Sequence, residues 1–220
     1  MKGYTNMLVM MVSIVVLNAS CDSRCKEGDG FGTRFIDLPQ IIGIDFQISG
    51  DIVVSEGATQ SILVEGSQNV ISDITTSVQN EIWQIGLRED CYKSYDMTIY
   101  VTVPSLEYVS LSGSGNVTIG ELSNTSSLSV DLPGSGTIEV DESQHLLEML
   151  DITIQGSGSY RGFGLSTSKC IVSIPGSGSV EVSVVDQLTV NISGSGSVDY
   201  KGSPSVSENI KGSGSVDQAK

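Results

Sequence analysis

Three acidic side chains, Glu181, Asp199 and Asp217, recur every 18 residues. Carboxylates held at a fixed repeat can share a Ca²⁺ ion or meet a cationic partner. They end a longer series, Thr118, Glu139, Arg161, Glu181, Asp199 and Asp217, in which Arg161 is placed to pair with Glu139 and Glu181. Unpaired like charges repel, but water and salt weaken that repulsion at a surface, so a solvated acidic face is the plainer reading beside a weak Ca²⁺ or partner-binding stripe. The GGxGxD pattern of calcium-binding β-rolls is absent from the sequence.

Catalytic chemistry finds few carriers. His145 is the only histidine, in the polar run Asp141-Glu142-Ser143-Gln144-His145, and acid–base work would need a partner in geometry. Arg24, Arg34, Arg88 and Arg161 are scattered along the chain. We therefore expect no enzyme and no cofactor, with a polysaccharide-acting β-helix enzyme as the alternative. The segment Arg88-Glu89-Asp90-Cys91-Tyr92-Lys93-Ser94-Tyr95 breaks the strand pattern with charges and two tyrosines. Tyr92 and Tyr95 are thus candidate contact residues on a loop, or parts of a simple hairpin turn.

Lysine and arginine total 11 against 26 Asp and Glu, a net charge of −15. That balance argues against nucleic-acid binding, which needs cations for the phosphates. The first residues read as an export signal, with Lys2 before an apolar run from Met7 to Leu17 that is too short to span a bilayer. Leu17-Asn18-Ala19-Ser20-Cys21 then resembles a lipoprotein signal box, which implies lipidation of Cys21 and a membrane anchor. The expected location is the cell envelope, as an outer-membrane lipoprotein, with the membrane face left open. Of the other cysteines, Cys170 falls among inward aliphatic positions and reads as a small buried hydrophobe. Cys25 and Cys91 lie in polar segments and can pair in an oxidising compartment, though spacing alone does not decide it.

These candidates need a scaffold, and the chain carries an internal repeat. Gly-Ser-Gly begins at Gly113, Gly134, Gly156, Gly176, Gly194 and Gly212, and Gly50 lies 63 residues before the first of them, three times 21. A fainter register is therefore expected through the N-terminal half. Two residues before each first glycine stand Leu111, Leu132, Ile154, Ile174, Ile192 and Ile210; four after it stand Val117, Ile138, Tyr160, Val180, Val198 and Val216. Even offsets are aliphatic and odd ones polar, the period of a strand with one buried face. A single copy buries too little to stand alone, whereas stacked copies merge their aliphatic columns and share backbone hydrogen bonds. The glycines serve corners that need either φ > 0 or room without a Cβ, and Ser114 and its counterparts are placed to ladder by their hydroxyls. The fold class is all-β, a parallel β-solenoid (β-helix) of stacked 18–22-residue coils with Gly-Ser-Gly corners.

Val103-Pro104-Ser105-Leu106, leading into Val109-Ser110-Leu111-Ser112-Gly113-Ser114-Gly115 and the later copies, resembles the "putative auto-transporter adhesin, head GIN domain" family. The upstream stretch from Asn69-Val70-Ile71 to Ile82-Trp83-Gln84-Ile85 agrees with it. The resemblance covers roughly Phe35 to Lys220 and implies a β-solenoid in a secreted or lipid-anchored protein of Bacteroidetes-type bacteria. It supplies no catalytic or binding residues. Expected domains are a signal peptide over 1–20, a tether over 21–34 and the solenoid over 35–220. The expected role is a non-catalytic adhesin or binding module for a glycan or protein, with a purely structural or sensory envelope protein as a further alternative.

Overall fold

The computed structural model describes residues 25–88 and 91–220. Alternation decides the strands. In Ser127–Leu132, Leu128, Val130 and Leu132 are buried while Ser127, Ser129 and Asp131 face outward. Each such strand pairs in parallel with its counterpart one coil away, which stacks like on like: Leu128, Leu150, Cys170, Leu188 and Val206 form one row. A second row runs Trp83, Ile44, Val109, Val130, Ile152, Val172 and Val190, all fully buried. The expected parallel β-solenoid is the fold of the chain.

The corners resolve the reason for their glycines. None of the Gly-Ser-Gly glycines has a positive φ. A Cβ on Gly134 would come within 2.3 Å of the Gly113 carbonyl oxygen, and one on Gly194 within 1.9 Å of that of Gly176. The corners stack backbone on backbone, and only glycine permits the approach. The middle serine is held by its amide: Ser157 N donates to Gly134 O at 3.2 Å, Ser177 N to Gly156 O at 3.0 Å and Ser195 N to Gly176 O at 3.1 Å. Hydroxyl contacts between coils form on the strands instead, as between Ser179 and Ser159 at 2.9 Å and between Ser55 and Thr102 at 3.3 Å.

Gly50 shares this register, but not three coils away. Asn116 N donates to Gly50 O at 3.1 Å, so Gly43–Phe46 and Asp51–Glu56 stack directly on Tyr108–Leu111 and Asn116–Ile119. The intervening chain supplies Ile82–Ile85 and Met97–Val103, which pair in parallel with the opposite edges of Gly43–Phe46 and Asp51–Glu56. Stack order thus departs from chain order in the N-terminal half. Antiparallel strands finish this end: Ser77–Gln79 on Ile82–Ile85, Ser61–Gly66 on Met97–Val103, and Gly32–Phe35 on Ser61–Gly66.

That last pairing corrects the tether drawn over 21–34, because Gly32 to Arg34 belong to a strand and the chain is docked from Cys25 onward. Cys25 is disulfide-bonded to Cys91, and Lys26 bridges to Tyr92.

At the other end, Ser205–Ile210 is exposed throughout and pairs, among the described residues, only with Ser179–Ile192. Its Glu208 occupies the inward position opposite Val190. An inward charge on an edge strand blocks further stacking. Glu208→Val continues the aliphatic row to the edge and is expected to give concentration-dependent association, read by light scattering.

Tyr160 is fully buried in the row of Val117, Ile138 and Val180, and its hydroxyl has no hydrogen-bond partner among the described residues. Its ring fills the space beside Gly162, where an added Cβ would lie 2.3 Å from Tyr160 Cε1. Tyr160→Phe keeps the ring and removes the orphaned hydroxyl. We expect a gain of about 1 kcal/mol in denaturant unfolding, the penalty for burying one unmet polar group.

Candidate binding surface

The outward series falls into one continuous row. Thr118, Glu139, Arg161, Glu181, Asp199 and Asp217 are successive cross-strand partners, about 4.8 Å apart. Arg161 stands between Glu139 and Glu181, yet no ion pair within 4.0 Å joins them among the described residues. Beyond Arg161 the row holds three carboxylates in succession. Among the described residues, no three His, Cys, Asp or Glu side chains converge as a metal site.

Followed the other way, the row changes character. Thr118 neighbours Val53, Val53 neighbours Tyr100, Tyr100 neighbours Leu63, and Leu63 neighbours Phe35. Tyr100 and Phe35 are 42% and 79% exposed. Sequence reasoning missed this stretch, although strict alternation in Met97-Thr98-Ile99-Tyr100-Val101-Thr102-Val103 sets Tyr100 outward with the two threonines. The Gly-Ser-Gly register did not extend to it.

Where the row turns polar, a groove of 440 Å³ lies along the face, lined by Asp51, Asn116, Thr118, Thr137, Glu139 and Arg161 among others. Asn116 Nδ2 donates to Asp51 Oδ1 at 2.9 Å, which fixes both groups. Donors and acceptors on rigid strands, open to solvent, suit recognition of a polar ligand.

Tyr92 and Tyr95 lie elsewhere. They belong to the corner between Ile82–Ile85 and Met97–Val103, where the coils from Gly113 onward carry Gly-Ser-Gly; Glu89 and Asp90 of this loop lie outside the described residues. The rings meet edge to face at 6.2 Å, Tyr92 Oη donates to Asp73 Oδ2 at 3.0 Å, and Tyr95 packs against the core. Burial raises the Tyr95 hydroxyl pKa despite a hydrogen bond with the Ser49 backbone. Both rings line a cleft of 380 Å³ with Gln47, Ser49, Leu87 and Cys91. They brace the corner at the disulfide and stand apart from the acidic row. Cys21 lies outside the described residues. Cys170 is buried between Leu150 and Leu188, and burial together with the Asp151 carboxylate pushes its thiol up to about 12.

His145 and Glu56 meet at a structural knot. The Glu56 carboxylate accepts from Ser123 N at 2.6 Å, Asn124 N at 2.7 Å and Thr125 Oγ1 at 2.5 Å, while the Thr125 carbonyl contacts His145 Nε2 at 2.7 Å. Partial burial opposes ionisation of Glu56, but these hydrogen bonds outweigh it and hold the carboxyl below its ordinary value. Its folded pKa being depressed, the stabilisation is present above the unfolded pKa of about 4.3 and is lost as pH falls through the folded value. Glu56→Ala is expected to cost about 2 kcal/mol at neutral pH, with the difference from the parent narrowing in melts taken at progressively lower pH.

The outward face of this solenoid thus carries an open polar groove between an apolar stretch and an acidic one. The family model "Putative auto-transporter adhesin, head GIN domain" matches residues 42–204, and the chain belongs to this family. A crystal structure of a "putative adhesin" from Bacteroides fragilis NCTC 9343 is similar, with TM-score 0.68, 19% identity and coverage of 88% of this chain and 99% of that one. A "putative lipid binding protein" from Parabacteroides distasonis ATCC 8503 gives TM-score 0.56, 22% identity, and 88% and 99% coverage. A "putative adhesin" from Parabacteroides merdae ATCC 43184 gives 0.51, 20%, and 88% and 98%. At these identities the likeness shows the fold. No curated protein matches the sequence.

Proposed function

We propose that the chain is a non-catalytic binding module of the cell envelope, an adhesin held to the membrane through lipidated Cys21. Its ligand, a glycan or a protein segment, lies along the groove of Asp51, Asn116, Thr118, Glu139 and Arg161. The observation that carries this reading is the groove itself, with its polar groups set on paired strands of a rigid stack. Support comes from the family, whose description as an adhesin belongs to the envelope or the exterior, and from the signal-box residues before Cys21. The lipid-free chain on a glycan array, with an extracellular-matrix protein panel beside it, tests the proposal. Binding to a defined ligand that Arg161→Ala abolishes supports it; ligand binding unaffected by Arg161→Ala and Asn116→Ala removes the groove from the account.

A second reading has one specific observation in its favour. Asp51, Glu139 and Arg161 share the groove, and carboxylates beside arginine are the groups with which a solenoid enzyme acts on acidic polysaccharide. New reducing or unsaturated ends after incubation with uronate polymers would establish that reading.

A further inference from the structure

The end of the outward row nearest the N-terminus is apolar, and no described residue covers it. Phe35 lies beside Leu63 and Leu63 beside Tyr100, all on the outward face, and Phe31 just ahead of this strand is 75% exposed. Single exposed hydrophobes are ordinary on a soluble surface, but adjacent ones with two nearly bare phenylalanines mark a contact surface.

We infer that the Phe31, Phe35, Leu63 and Tyr100 surface lies in the lipid interface, so that the N-terminal end of the solenoid rests on the bilayer. The inference rests on the lipid anchor proposed above. Chain length argues for this occupant. Cys21 stands four residues before Cys25, a reach of at most about 14 Å. Cys25 is in turn fixed to Cys91 by the disulfide. The strand that carries Phe35 starts at the same place: Gly32 packs against Gln68, and the Tyr92 hydroxyl, next to Cys91, lies 3.4 Å from the carbonyl oxygen of Asn69. From there Gly32–Phe35 spans about 10 Å. An anchored chain thus has this surface within reach of the headgroups, and Phe and Tyr are side chains that settle there.

The same row fixes the tilt. Its far end carries Glu181, Asp199 and Asp217, which stay in water. The solenoid therefore leans on its N-terminal end and carries its acidic coils away from the lipid. The polar groove begins at Val53, one strand spacing of about 4.8 Å beyond Tyr100 along the row.

The test uses the lipidated full chain in vesicles of phosphatidylethanolamine and phosphatidylglycerol with brominated acyl chains. Phe35→Trp places a reporter in the row, and Val185→Trp places one on an exposed site in the later coils. Trp83 is fully buried and gives a constant background. The expected result is loss of Trp emission for Phe35→Trp and none for Val185→Trp. Vesicle flotation with Phe35→Trp unquenched overturns the docking and leaves the anchor standing. An unmodified Cys21 by mass spectrometry, with no flotation, overturns the anchor and the docking together. A doubled mass without vesicles, in which the new Trp is shielded from iodide, assigns the surface to a second copy and overturns the lipid assignment.

Discussion

Gly156→Ala should destabilise the protein by about 3 kcal/mol, while Ser157→Ala next to it stays within about 0.5 kcal/mol. The contrast follows from what each side chain would meet. A Cβ on Gly156 would stand 2.0 Å from Gly134 O and 2.6 Å from Pro133 O, both backbone atoms of the neighbouring coil. They cannot retreat cheaply, because Gly156 N and Ser157 N donate to that same coil at 3.2 Å, to Leu132 O and Gly134 O. The Ser157 side chain is exposed, and the contact between coils is made by its amide, which alanine keeps. Urea unfolding of the two variants is the check. Equal losses would mean that the corner does not hold the coils by backbone contact.

Reducing the disulfide between Cys25 and Cys91 is expected to remove about 4 kcal/mol, the chain-entropy value for a closed loop of this size. The bond spans 66 residues and pins the strand that ends the sheet. Hydrogen bonds from Lys26 N to Cys91 O at 3.1 Å and from Gly28 N to Ser94 O at 3.1 Å hold the same arm. Calorimetry with and without reductant should show a melting temperature lower by about 10 °C. Hydrogen exchange should rise first at Gly32–Phe35 and Ser61–Gly66 and leave the later coils protected. An unchanged melting temperature would show that the backbone bonds suffice.

The C-terminal coils were legible in the sequence because each repeats its neighbour, so aligning six glycine triplets yields their register, the burial of Cys170 and the succession Glu181, Asp199, Asp217. The corner glycines were understood only in part: sequence could not choose between positive φ and close approach, since the choice depends on how near the next coil lies. The N-terminal half followed other rules. Gly50 signalled the shared register, but a spacing of 63 fits three coils as well as a detour, and antiparallel pairing leaves no fixed period. Tyr100 and Phe35 went unremarked for that reason. Cys25 was the candidate partner of Cys91, but whether the two meet was undetermined, because a contact between residues 66 apart has no local signature.

The displaced coil has a consequence for the order of assembly. Gly43–Glu56 is flanked by Ile82–Val103 and Tyr108–Ile119, both made after it. Emerging first, it waits with both edges open until either neighbour follows it. Each later coil instead adds to an edge already finished, a fast nearest-neighbour step. The slow, exposed stage of folding therefore belongs to the beginning of the chain. Its molecular hazard lies there too, in a nascent strand without its sandwich, more than in the charged edge that the finished protein shows.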